Sequence, residues 1–351
     1  MAKNGEVLEK SDLTFIPPDQ DVEVDVMRPE DAPGVAALFR AVYHDDYPVK
    51  TYYDPQALIA ANQKGEILSC VSRTPRGDIV GHNAFYPIAP CKKVFEGGAG
   101  LLLPAYRKRA WLLGRMVTRG MQMVPEFGGE GIYGEHVCSH LFTQKLAQRV
   151  GNVVMGLSVD LSFQEGGARK RVSSFNGYQP LKPFPHTVYL PEIYDLALRF
   201  LYEGLKEERQ FMPSPQLPPE ENRSRIASNT YEEARVSRIT VSEIGEDFET
   251  VMAVRESEAA ARDVTVYQVW LPLESPSVGW AVECLRRQGY FLGGLLPRWF
   301  DTDGLLMQRL CHTPDWDGIQ ILLDRSREIF HMVHEDWARS NLLTRTRGPL
   351  P

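Results

Sequence analysis

The 351-residue sequence predicts a mixed α/β fold in two parts, a complete N-terminal domain and a partial C-terminal domain of the same design. Valines 22, 24 and 26 alternate with polar residues, as in a half-buried strand, and helical patterns then follow strand patterns along the chain. A proline-rich, charged stretch at 210–232 is typical of a linker. Beyond this linker, strand and helix patterns begin again.

The elements of the first half follow from periodicity and from turn-forming residues. The run Thr74–Asp78, for example, separates two apolar runs and predicts a hairpin. The expected elements are a strand at 22–26, helices at 29–42 and 56–64, strands at 67–73, 79–86 and 97–103, a helix at 107–123, a strand at 131–137, a helix at 139–150 and strands at 152–159 and 187–190, the last closing the first sheet.

The second half predicts a helix at 191–209, the linker, and a smaller set of strands and helices. Three residue pairs lie 138 positions apart: Gly151 and Gly289, Gly156 and Gly294, and Phe142 and Trp280. The expected elements are strands at 236–244, 266–273 and 304–310, a helix and strand within 275–300, and a last helix at 320–339 before a loose tail. The predicted boundaries are 1–20 (flexible lead), 21–190 (N-terminal domain), 191–232 (helix and linker), 233–312 (C-terminal domain) and 313–351 (helix and tail).

Composition narrows the class of protein. Hydrophobic residues make up 43% of the chain, enough for real cores, and the formal net charge of −7 argues against a general nucleic-acid binder. No apolar run reaches membrane-spanning length, and the start lacks the hydrophobic segment of a signal peptide, so we expect a cytoplasmic protein with no membrane partner. The five scattered cysteines predict free thiols and no metal site. A homodimer stays open.

The segment from Gly100 to Met123 predicts an anion site. A strand passes through a turn closed by Pro104 into a helix whose first turn carries Arg107, Lys108 and Arg109. The first N–H groups of a helix have no partner inside it, and the positive end of the helix dipole faces the turn. The C-terminal half is expected to have no basic counterpart, because only helix is predicted before the strand at 266–273. That half either completes a cleft or dimer surface, or braces the fold.

The element order and three segments resemble the GNAT superfamily of acyl-CoA-dependent N-acyltransferases. The segments are Gly77–Pro87, Leu101–Met116 and Ser139–Gly156. The resemblance implies acetyl-CoA or another acyl-CoA as co-substrate, no metal, and a small amine or amino-acid-like acceptor that attacks the thioester directly. The residues that it places at the cofactor are Leu102, Leu103, Arg107, Lys108, Arg109, Ala110, Trp111 and Leu112.

The turn departs from the family pattern at two positions. Ala110 and Leu112 stand where the family has glycine and a small residue, which let the backbone approach a phosphate. Leu112 and the neighbouring Trp111 are bulky obstacles unless their side chains turn into the core. Two alternatives remain open: the turn still binds the phosphates of the cofactor, or it has lost that ability.

The resemblance also indicates candidate catalytic groups. Glu96, just before the fourth strand, stands where relatives carry a carboxylate that deprotonates the amine through water; a plain surface glutamate is the alternative. His140 replaces a common asparagine, and Ala147 replaces the tyrosine that protonates the thiolate. His136 and His140 are therefore candidates for that acid. Ser139 beside them is either part of this cluster or simply a helix N-cap.

Aromatic residues predict the acceptor site. The candidates are Tyr43, Tyr47, Tyr52 and Tyr53 on one loop and His82 on the third strand, which either line a pocket for a polar or cationic acceptor or pack over the core. Two other functions stay open. One is a GNAT-like decarboxylase of malonyl thioesters using His140 with Thr143, and the other is an inactive protein that binds CoA or a partner.

Overall fold

The computed structural model describes residues 16–18, 20–163, 170–220 and 223–347. Most of the predicted lead, most of the connection at 166–171 and the end of the predicted tail lie outside these residues. The chain forms two compact units, Met1–Ile88 with Lys92–Ile132, and Ala89–Cys91 with Tyr133–Pro351. The predicted mixed α/β class is confirmed by the element order. No helix in the described ranges is long and apolar enough to cross a membrane.

The first unit is an antiparallel sheet covered by helices. Its strands are β1 (Glu23–Val26), β2 (Leu68–Arg73), β3 (Ile79–Pro87) and β4 (Val94–Leu102), hydrogen-bonded in that order, and its helices are α1 (Ala32–Tyr43), α2 (Pro55–Gln63) and α3 (Trp111–Met123). α1 and α3 both pack on β3, so this strand is buried for most of its length. The predicted hairpin and first four strands are confirmed.

Local chemistry fixes where these elements begin. The Asp54 carboxylate accepts hydrogen bonds from the backbone N–H groups of Gln56 (2.9 Å) and Ala57 (3.1 Å) and so caps α2, which starts at Pro55. Asp31, at the start of α1, is buried against the Arg73 guanidinium of β2, with Nε to Oδ1 at 2.7 Å. This buried pair joins the helix start to the sheet.

The second unit has a larger mixed sheet. The strand order is β5 (Gly131–Val137), β7 (Arg171–Pro180), β6 (Val153–Phe163), β13 (Phe291–Leu296), β14 (Gly304–Leu310), β12 (Val266–Pro272), β11 (Val236–Glu243) and β10 (Arg225–Tyr231). Its helices are α4 (Phe142–Arg149), α5 (Asp195–Glu203), α6 (Phe248–Ala260), α7 (Val278–Arg287) and α8 (Asp324–Arg347).

Several sequence expectations for this unit need correction. β7 was not predicted, although it lies between β5 and β6. β8 (His186–Pro191) does not close the first sheet; it pairs in parallel with β9 (Arg209–Ser214) in a separate two-stranded sheet. β9 and β10 both form within the stretch interpreted as linker. The last helix runs to Arg347, so the predicted loose tail is helical over 340–347.

The sequence repeat relates equivalent positions of the second unit. Gly151 and Gly289 follow α4 and α7 and have left-handed φ angles of +82° and +87°. Gly156 of β6 and Gly294 of β13 lie opposite each other where these two strands pair. A Cβ on Gly294 would lie 2.4 Å from the Gly156 Cα. Glycine at both positions therefore permits the direct backbone contact where β6 and β13 pair.

β11 confirms the predicted strand at 236–244, so a strand, a turn and a helix precede β12, and not helix alone. β11 leads into α6, whose ends lie 137 residues after those of α3, and β11 and β12 pair in parallel. The turn carries Glu243, Glu246 and Asp247 instead of basic residues. The Gly245 N–H donates to the Ser224 hydroxyl (2.9 Å). An acidic turn whose amide is already bonded does not attract phosphate.

Candidate functional site

Strand β4 has a stretch almost without side chains. Four successive residues, Gly97 to Gly100, carry no side chain larger than a methyl group. The pairing with β3 shifts register there, between the His82–Leu101 and Ala84–Gly98 pairs, and Ala99 has a left-handed φ of +50°. Glycine inside a strand, together with a bulge, is typical of a place where a ligand approaches the backbone closely.

His82 forms a hydrogen bond with the backbone of this bulge. Its Nδ1 donates to the Ala99 carbonyl oxygen (2.9 Å), and its Nε2 accepts from the Ser69 hydroxyl (3.1 Å), because a carbonyl can only accept. The ring is 0% exposed, and burial lowers the pKa of His82 to about 4. His82 is therefore neutral at pH 7, and the contacts of its ring are with the protein.

The tyrosine loop forms one aromatic cluster around Phe39. The Tyr52 ring is stacked on Phe39 at 4.5 Å and is 2% exposed, while the Tyr47 ring meets Phe39 edge-on at 5.0 Å. The Tyr53 hydroxyl accepts a hydrogen bond from the Tyr47 N–H (2.9 Å). Tyr43, Tyr47 and Tyr53 remain partly exposed at the rim. The packing and pocket interpretations thus apply to different members of the same loop.

The partly exposed side of this loop binds the ammonium group of its own Lys50. Lys50 Nζ donates to the Asp45 carbonyl oxygen (2.7 Å) and lies 5.6 Å from the centroid of the Tyr53 ring. Carbonyl oxygens and an aromatic face are the partners that a protonated amine prefers. Sequence reasoning missed Lys50, whose position between the tyrosines was its only signal.

Glu96 precedes the glycine-rich stretch. It pairs with Tyr86 in the β3–β4 register and is partly exposed. The pKa of Tyr52 is raised above its usual value. Burial has the largest effect, followed by the neighbouring Tyr47 and then by the Glu96 carboxylate. Glu96 is therefore close enough to the tyrosine loop to act on it electrostatically.

The basic turn has a different local structure from the one predicted. Leu102 and Leu103 are buried, residues Pro104–Arg109 form a 3-10 helix, and α3 begins only at Trp111. The three basic residues therefore precede α3 instead of forming its first turn. Arg107 and Lys108 are exposed, whereas Arg109 Nη1 donates to the Gln20 carbonyl oxygen (2.6 Å). Arg107 and Lys108 are thus the cations available to an anion.

The two doubtful positions of the turn behave differently. The Leu112 side chain is 0% exposed and lies in the core, so it leaves the surface of the turn clear. Trp111 is 48% exposed and stays at that surface. Ala110, which immediately precedes α3, adds one methyl group. Leu112 is therefore removed as an obstacle to a phosphate, whereas Trp111 remains at the surface of the turn.

The candidate histidines lie in the second unit. His136 of β5 contacts the Asn152 side chain (Nε2 to Oδ1, 3.4 Å), and burial lowers its pKa to about 4 despite the opposing effect of this hydrogen bond. His140 is exposed, with its ring 6.5 Å from that of Phe142. The residue that caps α4 is Leu141, so Ser139 is not its N-cap.

His140 and Thr143, the pair considered for a decarboxylase, are not hydrogen-bonded to each other in the described residues. The Thr143 hydroxyl donates to the Val137 carbonyl oxygen at 3.5 Å.

No family model matches the sequence, and no curated protein matches it. Solved structures to which this chain is similar include acetyltransferases, each covering about half of the chain. An N-acetyltransferase from Staphylococcus aureus Mu50 is 13% identical over 46% of this chain and 99% of its own, with a TM-score of 0.39. The protein yncA from Salmonella typhimurium, solved with its cofactor acetyl-CoA, is 15% identical over 47% and 96%, with a TM-score of 0.39. Mutant forms of the spermidine/spermine N-acetyltransferase SpeG from Vibrio cholerae are 11% identical over 46% and 95%, with a TM-score of 0.36.

Proposed function

We propose that this protein is an acyl-CoA-dependent N-acyltransferase that moves an acyl group, with acetyl as the first choice, to a small amine or amino-acid-like acceptor. One observation carries the proposal. Within a single unit, the bulged stretch Gly97–Gly100 runs through Leu102 and Leu103 into a turn that presents Arg107 and Lys108.

This arrangement matches the two chemical parts of an acyl-CoA. The pantetheine arm is an extended chain with amide groups, which suits a strand whose backbone is not covered by side chains. The pyrophosphate needs cations, and the turn before α3 presents Arg107 and Lys108. Leu112 lies in the core, so the side chains that the turn adds at that surface are the Ala110 methyl group and the exposed Trp111 indole.

The proposed reaction is direct attack on the thioester. The neutral amine nitrogen bonds to the thioester carbonyl carbon, the C–S bond breaks, and the thiolate leaves and takes up a proton. Glu96, next to the bare stretch, is the proposed base that accepts the amine's proton through water. A general acid works best with a pKa near the operating pH, and the pKa of His136 is about 4. A role for His140 or His136 as the acid stays a prediction.

The acceptor is proposed to be cationic in solution. The ammonium group of Lys50 on the carbonyl oxygen of Asp45 and beside the Tyr53 ring supports a loop chemistry suited to amines. Tyr43, Tyr47 and Tyr53 are the proposed contacts. The buried Tyr52 and His82 support them from behind.

Two assays test the function. Calorimetric titration with acetyl-CoA should show binding, and free thiol should appear only when an amine is present. No heat and no thermal shift with acetyl-CoA would leave the inactive-protein alternative. Carbon dioxide released from malonyl-CoA without an amine would support the decarboxylase instead.

A further inference from the structure

The exposed indole of Trp111 has an unusual setting. It is the first residue of α3, is 48% exposed, and is the only tryptophan before residue 270. The Arg109 guanidinium lies 5.2 Å from its ring centroid and the Arg115 guanidinium 5.7 Å. A large aromatic surface is therefore held open among cations beside the proposed phosphate site.

The two arginines are held differently. Arg109 is fixed by the Gln20 carbonyl oxygen and by a second ring, Tyr106, at 5.7 Å. Arg115 is one helical turn after Trp111 and is exposed. In the described part of the chain it has no hydrogen bond or carboxylate partner. Arg115 can therefore leave the ring, whereas Arg109 keeps its place.

The sequence segment that carries this ring has charges of one sign. No acidic residue occurs between Glu96 and Glu126. The same interval contains the basic residues Arg107, Lys108, Arg109 and Arg115. An aromatic face combined with cations is the chemistry that binds a base and its phosphates. An exposed cation–π contact contributes about 2- to 5-fold in affinity, and a base stacked on an aromatic ring about 5- to 150-fold. A base therefore competes successfully with Arg115 for the ring.

Building on the proposed function, we propose that the adenine ring of acyl-CoA stacks on Trp111 and that Arg115 binds the 3′-phosphate of the same molecule. The protein then recognises the nucleotide part of its co-substrate separately from the pantetheine arm on β4. Acyl-CoA should be preferred over thioesters that lack the nucleotide.

Calorimetry of the full chain with three ligands tests this subsite: acetyl-CoA, acetyl-dephospho-CoA and S-acetylpantetheine. Trp111→Ala should raise the Kd for acetyl-CoA about 5- to 150-fold and leave the Kd for S-acetylpantetheine unchanged. Trp111→Phe should retain most of the affinity. Arg115→Gln should weaken acetyl-CoA about 10-fold but not acetyl-dephospho-CoA. Quenching of tryptophan fluorescence by CoA should diminish in Trp111→Phe.

Two exposed residues elsewhere serve as matched controls. Arg76→Gln in the hairpin turn and Leu196→Ala, which is 84% exposed in the wild type, should bind all three ligands normally. Unchanged acetyl-CoA affinity in Trp111→Ala, or an equal loss for S-acetylpantetheine, would overturn the subsite while leaving the transferase proposal intact. A wild-type protein that binds no acetyl-CoA would overturn both.

Discussion

Replacing His82 with leucine should destabilise the protein in a pH-dependent way. The substitution removes the donor to the Ala99 carbonyl and the acceptor for the Ser69 hydroxyl. Asn62 Nδ2 donates to the Ser69 oxygen (3.3 Å) and cannot accept the Ser69 hydroxyl hydrogen, so both that hydroxyl and the Ala99 carbonyl lose the partner that His82 provides. A buried polar group left without a partner costs about 1–3 kcal/mol, and we expect a loss of that size at pH 7.

The pH dependence follows from the lowered pKa. The unfolded chain protonates His82 near 6.5, whereas the folded protein does so only near 4. Stability contributed at pH 7 is therefore lost as the pH falls from about 6.5 to 4. A shift of this size corresponds to about 3 kcal/mol. Because leucine does not titrate, the stability difference between wild type and His82→Leu should shrink by about that amount at pH 4, where leucine can become the more stable choice.

Urea unfolding followed by circular dichroism between pH 7.5 and 4 measures this difference. His136, whose pKa is also about 4, titrates in both proteins and cancels. Leu196→Ala is the control, since Leu196 is exposed and neither side chain titrates, so its stability difference from wild type should not change with pH. A difference for His82→Leu that does not change with pH would refute the argument, as would a His82 pKa near 6.5 measured by NMR.

Two further substitutions test the site and the fold. Glu96→Gln should lower kcat about 100-fold in the thiol-release assay with the Kd of acetyl-CoA unchanged, because the amide cannot accept the amine's proton; an unaltered kcat would remove Glu96 as the base. Gly294→Ala should lower the free energy of unfolding by about 2–4 kcal/mol in urea, because its Cβ meets the Gly156 backbone and its φ is +144°; wild-type stability would show that the strands separate easily there.

The strands with clear alternation or flanking turns were predictable. The hairpin and β5 lie where the pattern placed them, since their apolar residues report burial directly. β7 was missed because its buried side chains include Ser173, Ser174 and Asn176. Two of them bond to polar neighbours: the Asp160 N–H donates to the Ser173 hydroxyl (3.0 Å), and the Ser158 hydroxyl donates to Asn176 Oδ1 (3.0 Å). No hydrophobic pattern reveals such a strand.

The location of the basic turn was predictable from the sequence, but the orientation of its side chains was not. Sequence located the basic turn, yet whether Leu112 or Trp111 faces solvent depends on where α3 begins, and the preceding 3-10 helix moved that start to Trp111. Likewise, the sequence of the tyrosine loop does not reveal that Tyr52 stacks on Phe39 while Tyr53 stays at the rim. These outcomes depend on tertiary packing.

The central claim is that the bare strand β4 and its basic turn bind an acyl-CoA. Calorimetric titration of acetyl-CoA into wild type, Arg107→Ala and the control Arg76→Ala tests it most directly. We expect wild type and Arg76→Ala to bind equally and Arg107→Ala to bind about 10-fold more weakly, through loss of a charge-assisted contact to phosphate. Equal affinity in all three proteins, or no binding by wild type, would contradict the claim.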